Sequence, residues 1–328
     1  MKDDARARPQ FDTSRFMSSV TLRQIRYFVA AAECGKVSLA ASMIAISPSA
    51  ITDAIGELEE MAGTQLFKRH PRGLALTYEG HRFLVHCRNI LSAIKDASYA
   101  FSHPDNSVEG AFTLATTSTV LGYFIVPLVT RFQRSFPNIV VHLVEGKRRD
   151  IEDGLLRDDY DLAVLLVSNS ENRPELCSYT LIQSVRRLWL SPRHPLLNRE
   201  AISLADVANE PYIQLTIDEA DVSTSSYWKA NEQEPHIVLR TESVEAMRSL
   251  IAFGHGVTIL SDMMYRPWSL EGDRVEVRDL ADKIPTMDTG LVWKGDQVRN
   301  RAAVTFQNFC RLEYEKDLLS RARTANQA

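Results

Sequence analysis

The 328-residue sequence predicts an α/β protein in two unequal parts, a small helical part followed by a larger one of alternating strands and helices. Three observations predict it. Apolar residues recur at helical spacing in three successive segments between Thr21 and Leu58, a basic hairpin with a Pro/Gly tip follows at Lys68–Gly73, and from Ala111 onward short β-rich runs alternate with amphipathic ones. The chain is also longer than one core usually organises.

Composition narrows the class. At 45% hydrophobic and 24% charged residues, with no apolar run near the roughly 18 needed to cross a bilayer, the chain reads as a soluble, cytoplasmic protein. Residues 1–19 hold Arg6, Arg8 and Arg15 among polar neighbours and read as a disordered extension. Cys34, Cys87, Cys177 and Cys310 show no CxxC spacing, so neither a zinc site nor a disulfide framework is expected, although a redox pair of Cys177 with Cys310 stays open as an alternative. The net charge of −4 hides an asymmetry: residues 1–103 carry 13 Lys and Arg against 10 Asp and Glu, the remainder 25 against 32. A polyanion partner therefore suits the first part only.

Thr21 can cap a first helix whose apolar face is Leu22, Ile25, Phe28, Val29 and Ala32, ended by Cys34-Gly35. Ser38 can cap a short Ala-rich second helix, Leu39 to Ala45. A third begins at Ser47-Pro48, with serine as cap and proline where its missing N–H costs nothing. Ala50, Ile51, Ala54, Ile55 and Leu58 form its apolar side, and Ser49, Thr52, Asp53 and Gly56 a polar side of short residues able to lie deep in a major groove. Gln65 to Thr77 then reads as two short strands around the basic tip, which makes the whole a winged helix-turn-helix. Glu57, Glu59 and Glu60 read as a solvated helix face.

Taken together, LRQIRYFVAAAECGKVSLAA, ISPSAITDAIGELEE, GTQLFKR and RGLALTYEG resemble, in order and spacing, the DNA-binding domain of LysR-type transcriptional regulators. The resemblance implies base contacts from Ser47, Pro48, Ser49, Thr52 and Asp53, and backbone contacts from Lys68, Arg69, Arg72 and Thr77. Pro48 stands where Gln is common in the family, Asp53 where a basic or amide residue is common, and Gly56 where Arg or Lys is frequent. An acidic side chain at Asp53 repels phosphate but can accept a hydrogen bond from cytosine N4.

Tyr78 to His103 reads as a helix of roughly 39 Å at 1.5 Å per residue. Leu84, Cys87, Leu91, Ile94, Ser98 and Phe101 follow the three-four spacing of a coiled-coil seam, broadened by Phe83, Ile90 and Ala97. The resemblance implies that this helix pairs with its copy, giving a homodimer and, by extension, a homotetramer. His103-Pro104-Asp105-Asn106-Ser107 is a polar break. Beyond it, strands near Ala111–Thr116, Ile139–Val144 and Asp161–Val167 alternate with helices near Val120–Ser135 and Asp150–Leu156, and the order repeats after residue 185. Parallel βαβ units in two lobes with a cleft between them are expected.

Looser resemblance in ATTSTVLGYFIVPLVTRFQRSFPNIVVHLVEG, DLAVLLV and LIAFGHGVTILS implies the two-lobed periplasmic-binding-protein-like fold. Ligands in such sheets sit at strand C-terminal ends. Thr117, Ser118 and Thr119 with Lys147 and Arg148 then offer hydroxyls, amides and cations to a small carboxylate or other anion, Gln214 and Thr216 add polar contacts, and Leu166, Val167 and Ile259 make walls. The expected organisation is an extension at 1–19, the winged helix-turn-helix at 20–79, a linker helix at 80–108, an effector-binding domain at 109–318 (one lobe from 109–185 with 286–318, the other 186–285) and a tail at 319–328.

No GxSxG, post-strand GxGxxG, P-loop or HExxH occurs, so no enzyme, metal or cofactor is expected. His255, between Gly254 and Gly256, reads as a turn residue. A solute-binding protein explains the two lobes equally well but leaves residues 21–77 without a role. Double-stranded promoter DNA and a small-molecule effector are the expected partners, with RNA polymerase a further candidate and no membrane.

Overall fold

The computed structural model describes the backbone of residues 13–70, 73–102, 108–169 and 173–325, and the side chains among them except at 15, 69–70, 95–102 and 315–325. It forms two compact units, residues 1–104 and 105–328. Arg72 and the break at His103–Ser107 fall outside the described residues, as do the side chains of Arg69 and Phe101.

The first unit opens with helix α1 (Thr13–Ser19), within the segment expected to be disordered. Phe16 on it meets Phe83 edge-on, ring centroids 6.2 Å apart, an aromatic anchor that the polar surroundings of residues 1–19 concealed. Helix α2 (Leu22–Cys34) starts in a reciprocal capping box between Thr21 and Gln24 and ends on Gly35 in the left-handed region. Helix α3 (Val37–Met43) begins two residues before the expected Leu39, after Lys36 and without a side-chain cap, so Ser38 lies inside it. It stops before the expected Ala45 because Ala45 takes φ +55 in the turn. Helix α4 (Pro48–Ala62) has the expected Ser47 cap and Pro48 start. Strands β1 (Phe67–His70) and β2 (Gly73–Leu76) pair antiparallel, and α5 (Tyr78–Ser102) follows. One apolar core joins them, with Phe28 between Phe67 and Phe83 at centroid distances of 5.2 and 5.0 Å.

In the second unit, strand β3 (Gly110–Thr116) leads into a continuous helical run: α6 (Ser118–Val120), a π-turn (Leu121–Ile125) and α7 (Val126–Ser135). Strand β4 (Ile139–Glu145), α8 (Arg148–Leu156) and β5 (Leu162–Leu166) complete the expected βαβ units, and β3 pairs parallel with both neighbours. The sequence reading passed over β6 (Leu176–Ser184), which ends this stretch. The chain then enters a second sheet system: β7 (Arg186–Leu190), α9 (Leu204–Ala208), β8 (Pro211–Leu215), α10 (Ala220–Ala230), β9 (His236–Thr241), α11 (Val244–Ala252), β10 (Thr258–Ser261) and β11 (Glu276–Arg278). It returns through β12 (Met287–Lys294) to the first sheet and ends in α12 (Arg301–Ala325), a run of good helix formers that passes the expected boundary at 318.

The first sheet has the order β4-β3-β5-β12-β6, and the returning β12 lies antiparallel between β5 and β6. The second lobe departs further from an all-parallel sheet. Its β10-β7-β11 sheet is antiparallel, and parallel pairing there is confined to β8 with β9 and a bridge from Tyr212 to Val257. A strand that re-enters from the far end of the chain needs no crossover helix, so its direction is free of the βαβ rule.

Candidate functional site

Two regions concern recognition, one in each unit. In the first, α4 buries Ile51, Ala54, Ile55 and Leu58 and leaves Ser47, Pro48, Ser49, Thr52, Asp53 and Gly56 exposed on one side. The exposed face is low and partly preorganised. The Ser47 Oγ accepts from the Ala50 amide at 3.3 Å and lies 3.0 Å from the Ser49 Oγ, while the Thr52 hydroxyl donates to the Pro48 carbonyl at 3.0 Å. A Cβ at Gly56 would meet nothing within 4 Å, so the missing side chain leaves that turn of the face bare.

The strands beside this helix are fastened to it. Glu59 accepts hydrogen bonds from the Leu66 and Phe67 amides at 2.7 and 3.0 Å, and Glu57 accepts one from Gln24 Nε2 at 2.5 Å. Glu59 is therefore structural rather than part of the solvated face expected of it, because it satisfies amides at the entrance to β1, whereas Glu57 and Glu60 are exposed as expected. The Leu74 amide donates to the Gly35 carbonyl at 2.7 Å, an approach that only glycine at 73 permits: a Cβ there would lie 2.2 Å from the Gly35 oxygen. Gly80 is equally constrained, since its Cβ would sit 2.0 Å from the Leu66 oxygen.

Lys68 is exposed on β1, and Arg69 lies on the same strand opposite Leu74. Thr77, expected to meet the DNA backbone, is only 7% exposed, with its hydroxyl donating to the Gln65 carbonyl at 2.8 Å and accepting from the Gly80 amide at 2.9 Å. It joins the strand to α5 instead. The expected dimerisation seam is corrected in the same way. Leu84 and Cys87 are buried in the first unit's own core, with Phe83 and Leu91 packed on it, because core packing and a coiled-coil seam impose the same three-four spacing. Among the described side chains, Tyr78, Val85, Ile90 and Ile94 are the large apolar residues that α5 leaves exposed.

In the second unit, a narrow cleft lies where the strand ends of the two lobes face each other. Thr119, Leu166 and Ile259 line it as expected, together with Arg186, Ser261 and Met264, which the sequence reading missed. Arg186 is the only ionisable residue among the described residues that line it, and burial pushes its guanidinium below the ordinary arginine range. Its Nη1 donates to the Thr286 carbonyl at 2.9 Å and to that of Pro285.

Other expected ligand groups are used differently. Val167 packs against the apolar cluster of Ile151 and Leu155 on the first lobe. Gln214 is buried and donates from Nε2 to the Leu215 carbonyl at 2.7 Å, which turns it away from the cleft. Thr216 is half-buried, its backbone amide donating to Thr241 at 2.9 Å. Ser118 pairs with Glu145, and Lys147 is exposed at the start of α8.

Two acidic residues that the sequence reading did not single out meet the remaining donors. The Thr119 amide, in the first turn of its helical run, donates to Asp218 Oδ2 at 2.6 Å. The buried Arg148 donates from Nη2 to Glu219 Oε2 at 2.8 Å and from Nη1 to the Asn169 carbonyl. Asp218 and Glu219 both occupy the left-handed region, at φ +50 and +55, which costs an L-residue about 1–2 kcal/mol each. A third bond between the lobes runs from the Tyr123 hydroxyl to Glu245 Oε1 at 2.9 Å. Thr117, 2% exposed and two residues before Thr119, has a hydroxyl without a hydrogen-bond partner.

The cysteines give the redox alternative little to work with. Cys310 is buried, and burial holds its thiol well above the usual range; Cys177, on β6, is half-buried. His255 lies in a turn, its amide donating to Leu250. Among the described residues no helix is long and apolar enough to cross a membrane.

Comparison with known proteins bears on both regions. Residues 22–81 match the family model for a bacterial regulatory helix-turn-helix protein of the lysR family, and residues 105–314 match that of the LysR substrate binding domain. The chain is 26% identical over 249 residues to the HTH-type transcriptional regulator CfxR of Cupriavidus necator, covering 76% of this chain and 78% of that one. It is 25% identical over 287 residues to the hydrogen peroxide-inducible genes activator of Pectobacterium carotovorum subsp. carotovorum, covering 86% and 93%. Among solved structures, HinK, a LysR family transcriptional regulator from Pseudomonas aeruginosa, is similar with a TM-score of 0.58 and 25% identity, over 90% of this chain and 99% of that one.

Proposed function

This chain belongs to the LysR family and is a DNA-binding transcription regulator with an effector-binding domain, and we propose that Ser47, Pro48, Ser49, Thr52 and Asp53 read base edges while Lys68, with Arg69 and Arg72, holds the phosphates. The observation that carries the reading is the division of α4: its apolar side is sealed in the core, and its short polar side stands exposed. Asp53 accepts a hydrogen bond from a cytosine amine. Two chains pair through the exposed Ile90 and Ile94 of α5, so that two reading helices address two half-sites, and dimers of dimers bend the duplex between them.

A binding selection on randomised duplexes tests the DNA reading. Wild type is expected to enrich a two-fold site, Asp53→Asn to lose a cytosine preference at one position per half-site, and Lys68→Ala to lower the salt slope by about 1 without changing the enriched sequence. An unchanged preference with Asp53→Asn removes Asp53 from base reading.

For the effector we infer a small carboxylate or related anion. Arg186 is the one cation among the described residues that line the cleft, and the nearby carboxylates of Asp218 and Glu219 are bonded to the Thr119 amide and Arg148. Binding shifts the population of lobe arrangements and, through the paired dimers, the spacing of the reading helices. Thermal stabilisation of the full chain by members of a carboxylate panel, and not by matched amines, is the expected result. Stabilisation by amines alone would reverse the assignment. A peroxide-sensing reading draws no support from Cys310, whose burial disfavours the reactive thiolate.

A further inference from the structure

The geometry points to Asp218 and Glu219 as a built-in anionic occupant of the effector site, one that an arriving anion has to displace. The inference rests on the reading that the effector is an anion. Two donors at the strand ends of the first lobe suit a carboxylate: the Thr119 amide, in the first turn of the helical run from Ser118 to Ser135, and the Arg148 guanidinium. Both already hold carboxylates, and both carboxylates come from adjacent residues of the second lobe.

The backbone that delivers them argues for more than an incidental contact. Two consecutive residues, neither of them glycine or asparagine, are held in the left-handed region just ahead of α10. Strain of this kind persists where the surrounding contacts over-determine it, and here those contacts are the two charge-assisted bonds across the cleft. Breaking them frees the segment to relax.

A second observation points to a ligand. The Thr117 hydroxyl is almost wholly buried, has no partner, and lies two residues from the amide that Asp218 occupies. The internal carboxylates leave this group unserved, and an anion with several oxygens can take the Thr119 amide and the Thr117 hydroxyl together. Exchanging an internal acid for an external one removes two of the polar bonds between the lobes and leaves others, among them Tyr123–Glu245, Ser261–Ser184 and Arg186–Thr286, so occupancy and lobe geometry become linked. The internal acid also lowers apparent affinity in proportion to the time it holds the site.

The test uses the full chain, with Asp218→Asn as the isosteric, uncharged variant; asparagine tolerates the left-handed region. Sulfate binding is measured by calorimetry, and hydrogen exchange is followed at the Thr119 amide. The variant is expected to bind sulfate at least about 10-fold more tightly than wild type, and its Thr119 amide to exchange at least about 10-fold faster until sulfate restores protection. Glu219→Gln is expected to move sulfate affinity in the same direction, which covers failure of the first variant to fold. Equal sulfate affinity in wild type and the variants overturns the internal occupant and leaves the anion reading standing. Equal Thr119 exchange without ligand overturns it independently. Absence of sulfate binding in every chain overturns the anion reading, and this inference with it.

Discussion

In the N-terminal unit the buried set is almost entirely apolar, with Phe28, Ile51, Leu58 and Cys87 at its centre, and the Arg88–Glu33 ion pair lies at the surface. In the C-terminal unit arginines go inside. Arg248 is 0% exposed, donates to the Met264 and Arg266 carbonyls at 3.1 and 3.3 Å, pairs with Glu245 at 3.2 Å and lies 5.5 Å from the Trp189 ring centroid. Arg131 makes a two-pronged pair with Glu313, and Arg173 reaches the buried Glu152. The first unit is held by shape and by helix ends, the second also by cations that cannot be removed without leaving acceptors unpaired.

That difference predicts different responses to substitution. The largest effect is expected from Phe28→Ala, which empties the centre of the first core and costs about 3–5 kcal/mol. In a denaturation experiment that follows each unit by its own probe, only the N-terminal transition should move; a joint shift would mean the two fold as one. Arg248→Met keeps most of the side-chain volume but orphans the buried Met264 carbonyl and takes one of two partners from Glu245, with an expected loss of about 2–4 kcal/mol confined to the C-terminal transition. A neutral result there would show the internal cation to be dispensable and would erase the contrast. The smallest effect runs the other way: Ala45→Gly relieves the positive φ in the turn between α3 and α4 and is expected to stabilise the N-terminal unit by about 0.5–1 kcal/mol, read as a shift in denaturant midpoint.

The same contrast explains what the sequence disclosed. Thr21, Ser47, Pro48 and Gly35 act within a few residues of themselves, so the starts of α2 and α4 and the end of α2 could be read directly. Glu59 could not, because its partners appear only once β1 folds back on α4. The periodicity of α5 was read correctly as a helix but assigned to the wrong partner at Leu84 and Cys87. In the C-terminal unit the strand-end rule found Thr119, Leu166 and Ile259. It had no means of finding Arg186, Asp218 or Glu219, whose roles depend on groups 71 to 100 residues away and, for the last two, on positive backbone angles that L-residues rarely take.

The bond from the Leu74 amide to the Gly35 carbonyl, made possible by the bare α-carbon at 73, pins the hairpin to the end of α2. Together with Glu59, which ties the start of β1 to α4, it fastens the two strands and the reading helix into one caliper. Such a tool has a fixed gauge: a site whose groove is wider or narrower than that gauge must deform to be gripped, and the stiffness of the intervening base steps becomes part of what is recognised.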